Sequence, residues 1–184
     1  MLKGEKVILR PMEREDQRRF HELTTNVALG MLVGNDWEPR SLADIEKGFE
    51  RDSDGSHERT RFAIEADGKV IGDIGLHGLR RREGVTEFWI GILDPDYLGK
   101  GYGRDAIKTL LWWAFRVQNW RKVWLSAVAV NERALRSYRA CGFIEEGRLR
   151  QHVFYNGQYF DEIKMGLLRT EWEAANPNAH DPTV

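Results

Sequence analysis

The segment DPDYLGKGYGRDAIKTLLWWAF, Asp94 to Phe115, sets Gly99, Gly101 and Gly103 at alternate positions directly ahead of a long stretch with helical apolar spacing. Few local patterns restrict a fold so tightly. The first amides of a helix have no intrahelical acceptor, and the macrodipole adds roughly half a positive charge there. Glycines let an anion reach that backbone without meeting a Cβ. A strand, then such a loop, then a helix suits a phosphate or diphosphate, unless the glycines only redirect the chain. The Walker pattern is absent, and Gly99-Lys100-Gly101-Tyr102-Gly103 does not have the G-x-G-x-x-G spacing of dinucleotide sites.

The elements around the loop follow from periodicity. Lys6–Arg10 reads as a short strand stopped by Pro11, and Arg14–Thr25 as a charged helix with an apolar stripe through Phe20 and Leu23. Asn26–Pro39 reads as irregular, punctuated by Gly30, Gly34 and Pro39; Ser41 then caps a helix over LADIEKGFERD. From Arg59 the period becomes two. Thr60–Ala66, Lys69–Leu79 and Val85–Leu93 form an antiparallel meander whose first turn is Asp67-Gly68. The loop leads to a helix over about Arg104–Gln118. Lys122–Val130 is a strand whose apolar end points to burial on both faces, and Asn131 caps a short helix ending at Gly142. Two strands joined at Asn156-Gly157 complete a domain over 1–170, and 171–184 reads as a frayed tail. Strand–helix–strand across Val85–Val130 requires one parallel pair. The class is α+β, with a mixed, mostly antiparallel sheet and flanking helices.

A chain of 184 residues fits one domain. Its net charge of −1 gives no general pull toward nucleic acid or membrane. One cysteine, Cys141, rules out an internal disulfide and fits a reducing compartment. MLKGEKVILRPM lacks the apolar core of a signal peptide, and no stretch reaches the roughly 18 apolar residues of a membrane span. The expectation is a cytoplasmic protein. The five histidines are scattered, so no metal is expected.

Downstream of the loop, AVAVNERALRSYRACGF carries N-x-x-A-x-x-x-Y-x-x-x-G-F from Asn131 through Tyr138 to Gly142-Phe143. With the loop, this resembles the GNAT superfamily of N-acetyltransferases, whose loop reads [QR]-x-x-G-x-[GA]. Here it is Leu98-x-x-Gly101-x-Gly103, with leucine in place of the polar first residue. DPDYLGKGYG and FYNGQYFDEIKMGLL are similar to the branch holding ribosomal-protein N-terminal and polyamine acetyltransferases. The likeness spans about Val7 to Leu168. It implies a splayed parallel pair, Thr86–Leu93 and Val123–Val130, with the pantetheine arm of acetyl-CoA between them. The activity implied is acetyl-CoA-dependent acetylation of a primary amine on a protein N-terminus, a polyamine or another small amine. A non-catalytic acyl-CoA sensor or scaffold is the alternative.

The resemblance also implies site residues. Leu98, Gly99, Lys100, Gly101, Tyr102, Gly103 and Arg104 hold the diphosphate by backbone, with Lys100 and Arg104 as charge partners or Lys100 as a solvated lysine. Ile90, Ile92 and Leu93 offer backbone to the pantetheine. Asn131 both caps its helix and touches the pantetheine, and Arg136 meets the adenosine 3′-phosphate. Tyr138 donates a proton to the thiolate, with Ser137 as alternative acid, or is a core tyrosine. Glu87 is the base or an edge ion-pair partner, with Asp73 and His77 as further candidates. The acceptor side falls in Phe20–Asp54, where Asp36, Trp37 and Glu38 either receive a cationic amine or form a polar loop. Exposed strand edges and the tryptophans leave room for a homodimer.

Overall fold

A computed structural model describes residues 1–33, 38–52 and 59–183. The chain runs β1 (Leu2–Lys3), β2 (Ile8–Pro11), α1 (Asp16–Thr24), α2 (Val27–Val33), α3 (Leu42–Asp52), β3 (Arg59–Ala66), β4 (Lys69–Arg80) and β5 (Val85–Ile92). It continues α4 (Tyr102–Trp112), β6 (Lys122–Val128), α5 (Glu132–Ala140), β7 (Ile144–Tyr155), β8 (Gln158–Leu168) and α6 (Arg169–Ala175). Among the described residues these strands make one eight-stranded sheet in the order β1-β2-β3-β4-β5-β6-β8-β7.

Strand alternation sends successive side chains to opposite faces, and the core divides accordingly. Ile64, Ile71, Ile74, Leu76 and Phe88 pack with Ile107, Leu110 and Leu111 of α4, Leu135 of α5 and Trp172 of α6. Their neighbours Ala63, Val70 and Leu93 face the other way, onto Phe20 and Leu23 of α1 and Ile45 of α3. Each fully buried valine, leucine, isoleucine or phenylalanine among them contributes roughly 1.5–3 kcal/mol. Both expected tight turns form. Asp67 and Gly68 have φ of 51° and 71°, Asn156 and Gly157 46° and 83°, the left-handed pairs that two-residue hairpins require.

One pair departs from antiparallel order. β5 runs parallel to β6 at Val85↔Lys122, Thr86↔Val123 and Glu87↔Trp124, and their pairing stops there. β5 stays bonded to β4 as far as Ile92↔Gly72, and β6 to β8 as far as Val128↔Glu162. The sheet therefore forks, with Phe88–Ile92 on one arm and Leu125–Val128 on the other.

Several local expectations change. Part of the stretch expected to be irregular is helix α2: Asn26 Oδ1 accepts the Leu29 amide at 3.2 Å, and this cap outweighs the interior Gly30. Pro11 closes β2 opposite Phe62 instead of stopping the chain before it. α4 starts at Tyr102 and passes into a wide turn, Trp113–Val117, where Gln118 N–H reaches Trp113 O at 3.0 Å. β6 is buried on one face only, because Trp124 and Ser126 lie on the face that the fork opens. Within the tail expected to fray, Trp172 is buried and tilts against Phe115 at 5.4 Å, and Pro182 O accepts the Lys3 amide at 2.7 Å.

Candidate active site

The glycine loop is built from β5 outward. The amides of Leu93 and Asp94 both reach Ile71 O, at 2.9 and 3.1 Å. Asp94 then ends the strand: its Oδ1 accepts the Asp96 amide at 3.0 Å, and its Oδ2 takes Arg19 Nη2 at 2.6 Å. A single 3-10 turn, Pro95–Tyr97, brings the chain to Gly99 and Gly101, whose φ values of 72° and 91° favour glycine. Gly101 is the N-cap of α4 and supplies no side-chain cap. The helix's first internal bond runs from Asp105 N–H to Gly101 O at 3.0 Å, so the amides of Tyr102, Gly103 and Arg104 start the helix without an intrahelical acceptor. α5 differs, because Asn131 Oδ1 accepts the Ala134 amide at 3.2 Å and caps its own helix.

A cavity of about 650 Å³ fills the fork. Gly99, Gly101, Gly103 and Arg104 border it from the loop, Ile90 and Ile92 from β5, Ala127 and Val128 from β6, and Asn131, Ser137 and Tyr138 from the α5 region. Arg133 and Arg136 of α5 join Arg104 in the lining, and Arg136 Nη1 lies 3.8 Å from Glu132 Oε2.

The fork joins the two faces of the sheet. On the α4–α5 face, Phe88 meets Tyr138 edge-on at 6.0 Å and stacks on Phe143 at 5.9 Å. Burial, with Cys141 alongside, pushes the Tyr138 phenol up to about 12, so it holds its proton throughout the neutral range. On the other face lies a polar row. Glu87 Oε2 is 3.7 Å from His77 Nε2, and Glu87 Oε1 is 3.5 Å from Ser126 Oγ. Ser126 Oγ accepts Lys164 Nζ at 2.7 Å, and Lys164 pairs with Glu162 Oε2 at 2.8 Å. Burial raises the Glu87 carboxyl above the usual carboxylate range. His77, Lys164 and Ser126 pull the other way, and Glu162 adds to the rise.

The sequence-derived residues divide on placement. Glu87, Ile90, Ile92, Leu98, Gly99, Gly101, Gly103, Arg104, Asn131, Arg136 and Tyr138 all border the cavity. The Leu98 amide is engaged by Pro95 O at 3.2 Å, so Leu98 offers a side chain there and no free donor. Leu93 is buried in the α1–α3 core, with its amide turned to β4. Lys100 is exposed outside the cavity lining, and Tyr102 packs on Tyr97 at 5.0 Å beneath the Lys6 ammonium. Asp73 is held by Arg61 Nε at 2.9 Å and does not border the cavity, whereas His77 does. Asp36 and Trp37 lie outside the described residues. Glu38 lines a separate surface depression with Arg40, Asp44 and Lys47, so the structure does not bring it to the site. From the acceptor-side segment, Leu29 of α2 borders the cavity.

Sequence reasoning passed over Ser126, Glu162, Lys164 and Arg133. For two of them a signal existed: in DEIKMG, Glu162 and Lys164 alternate with the buried Ile163 and Met165, which marks a charged strand face. Among the described residues no group of three or more His, Cys, Asp or Glu is arranged to hold a metal.

A gap of this shape, edged by unpaired strand backbone and ending at an uncapped helix start, accommodates an extended acyl arm whose phosphates rest on the loop. That defines the class, an acyl-CoA-dependent acyltransferase. Residues 6–144 match the family described as acetyltransferase (GNAT) domain, and the chain belongs to that family. It is an acetyl-CoA-dependent amine N-acetyltransferase.

Its relatives include the spermidine N(1)-acetyltransferase of Escherichia coli K12, 34% identical over 168 residues and covering 91% of this chain and 89% of the relative. The spermidine N(1)-acetyltransferase of Vibrio cholerae is 33% identical, over 89% of this chain and 94% of the relative. A crystal structure of the Vibrio cholerae spermidine N-acetyltransferase with CoA and spermine superposes with a TM-score of 0.83 at 31% identity, covering 92% of this chain and 99% of that one.

Proposed function

We propose that the acceptor is a polyamine, that Glu87 is the base and that Tyr138 is the acid. The charge pattern of the cavity carries this reading. Arg104 and Arg133, in the first turns of α4 and α5, and Arg136, a turn further along α5, border it on the side an anionic coenzyme needs, and Glu87 and Glu162 border it on the polar row, as a cationic amine needs. The relatives named for spermidine support the same acceptor class.

When bound, acetyl-CoA supplies an activated acyl group and a sulfur leaving group. The chain's own residues do the rest. The loop fits the coenzyme's diphosphate, because Gly101 leaves no side chain over the amides of Tyr102, Gly103 and Arg104. Ile90 and Ile92 on β5 and Ala127 and Val128 on β6 line the gap with apolar surface that excludes water. A primary amine with an ordinary pKa near 10 is charged at neutral pH and must lose a proton before it attacks. Glu87, half-buried and more basic than a surface carboxylate, takes that proton on the polar face. Tyr138 keeps a proton on the opposite face for the departing sulfur.

Two features of setting belong to the same reading: a cytoplasmic enzyme and a homodimer, with neither nucleic acid nor membrane as partner. The net charge of −1 suits that choice of partners, and among the described residues no helix is long and apolar enough to cross a membrane.

The test is a panel of acceptors with acetyl-CoA, containing spermidine, spermine, short diamines and peptides with free N-termini, read by mass of the product. Acetylated polyamine is expected. A peptide acceptor used in its place, with polyamines inert, overturns the acceptor. Tight CoA binding with no acceptor turned over overturns catalysis.

A further inference from the structure

Lys164 of β8 stands directly opposite Ser126 of β6 in a ladder that stays intact where β5 and β6 have separated. Its ammonium is fixed from three sides: 2.7 Å from Ser126 Oγ, 2.8 Å from Glu162 Oε2, and 5.3 Å from the centre of the Trp124 ring. A serine hydroxyl has one hydrogen to give. With its oxygen occupied by Lys164, Ser126 turns that hydrogen to Glu87 Oε1, 3.5 Å away on β5 at the last paired position before the fork opens. A chain of side chains thus links β8, β6 and β5 at the base of the fork, just where the backbone pairing of β5 and β6 ends.

We propose that Lys164 and Glu162 are positioning residues for the transfer: Lys164 aims Ser126 at Glu87, and the Lys164–Glu162 pair sets how basic Glu87 is. The inference rests on the assignment of Glu87 as base. Electrostatics makes the two members act in opposite senses. The Lys164 cation favours ionised Glu87 and weakens it as a base. The Glu162 anion disfavours ionised Glu87 and strengthens it. Burial is the largest influence and raises the Glu87 carboxyl; His77, then Lys164 and the Ser126 hydroxyl, work against it, and Glu162 adds to the rise. Glu162 is itself nearly buried, with 10% of its side chain exposed, so its charge is poorly screened by water. Two other groups face this row. His77 Nε2 on β4 is 3.7 Å from Glu87 Oε2, and His152 Nε2 on β7 is 3.8 Å from Glu162 Oε2; each is charged only when protonated.

The test is the acidic limb of kcat/KM against pH, using the best acceptor of the panel at fixed acetyl-CoA. It is measured for wild type, K164M, K164R and E162Q, and again for each in an H77Q background, which removes the nearer histidine's titration. K164M is expected to move the limb to higher pH, and E162Q to lower pH, each on the order of half a pH unit or more. K164R is expected to hold it near the wild-type position. Should K164M not fold, E162Q must still move the limb down and K164R must still hold it. Unmoved limbs, or shifts of one sign in K164M and E162Q, overturn the proposal. E87Q separates this result from the assignment beneath it. An acidic limb that persists in E87Q removes Glu87 as base, whereas a limb lost in E87Q but unmoved in K164M and E162Q removes only the positioning role.

Discussion

The carboxylate of Asp105 accepts the backbone N–H of Lys6 at 2.7 Å, tying the first turn of α4 to the chain just ahead of β2. Glu5 and Val7 donate to the same carboxylate at 3.1 and 3.0 Å, so one buried side chain takes three consecutive amides. Gly4 allows the approach. A Cβ there would fall 2.7 Å from Thr109 Oγ1 and would also collide with Asp105 Oδ2. Asp105→Asn keeps the size but exchanges one acceptor for a donor, so in either orientation at least one of the three amides faces N–H. The expected loss is about 1–3 kcal/mol of unfolding free energy. It should come with weaker CoA binding, because the loop loses its anchor. Denaturant unfolding and calorimetry check the two effects separately.

Gly101 limits the loop through its backbone. An added Cβ would meet only the Lys6 side chain, with Cε at an ordinary 3.7 Å, but φ of 91° lies where an L residue is strained. Gly101→Ala should therefore cost stability of about 1–2 kcal/mol and reduce CoA affinity by roughly tenfold, which is near 1.4 kcal/mol. Gly103→Ala is the control for backbone strain. Gly103 does not lie at positive φ, and a Cβ there would stand 3.4 Å from Ile92 Cγ1, so stability should change little. Equal losses of stability in the two variants would count against strain at Gly101.

Much of this site was legible because it depends on local chemistry. A glycine pair, an asparagine cap and two left-handed turns each constrain their own few residues, and the loop, the start of α5 and both hairpins follow from them. The rest depends on register. Ser126 and Lys164 are 38 positions apart, and nothing near either shows that β6 and β8 set them opposite each other. Helix α6 was hidden for a related reason. RTEWEAA is polar and short, and it is held by Trp172 against Phe115 and by Glu171 Oε2 accepting the Leu168 amide at 2.9 Å. The acidic GNDWEP segment matched a cationic acceptor by composition. Of that segment the described Glu38 lies elsewhere, and the carboxylates that do face the cavity come from strands β5 and β8.

Glu87→Gln should separate activity from stability, and pH gives the sign. Burial raises the folded-state pKa of Glu87, so the folded protein holds this proton more tightly than the unfolded chain. Its contribution to stability is complete below the ordinary carboxylate range and is lost as pH rises through the raised value. Glutamine has no charge to bury. The melting temperature of the variant relative to wild type should therefore be higher at pH 7 than at pH 4, while turnover falls roughly 100-fold or more. Thermal scans at the two pH values, alongside initial rates, check both.

Tyr138→Phe removes one oxygen and leaves the ring that packs edge-on against Phe88 at 6.0 Å and Phe143 at 6.1 Å. The apolar contacts survive, so stability near neutral pH should change by less than about 1 kcal/mol. The alkaline side differs. The wild-type phenol is raised to about 12 from an ordinary 10.0, so the fold loses stability as pH climbs between those values and the unfolded chain ionises first. The phenylalanine variant lacks that loss and should resist alkaline unfolding better. Turnover should fall by roughly 10²–10⁴, with CoA affinity close to wild type, because the residue acts on the leaving sulfur and not on the phosphates. A thiol-release assay with the best acceptor measures the fall. A variant that keeps wild-type turnover would leave Tyr138 as a packing residue and pass the acid role to Ser137, the neighbouring hydroxyl that also borders the cavity.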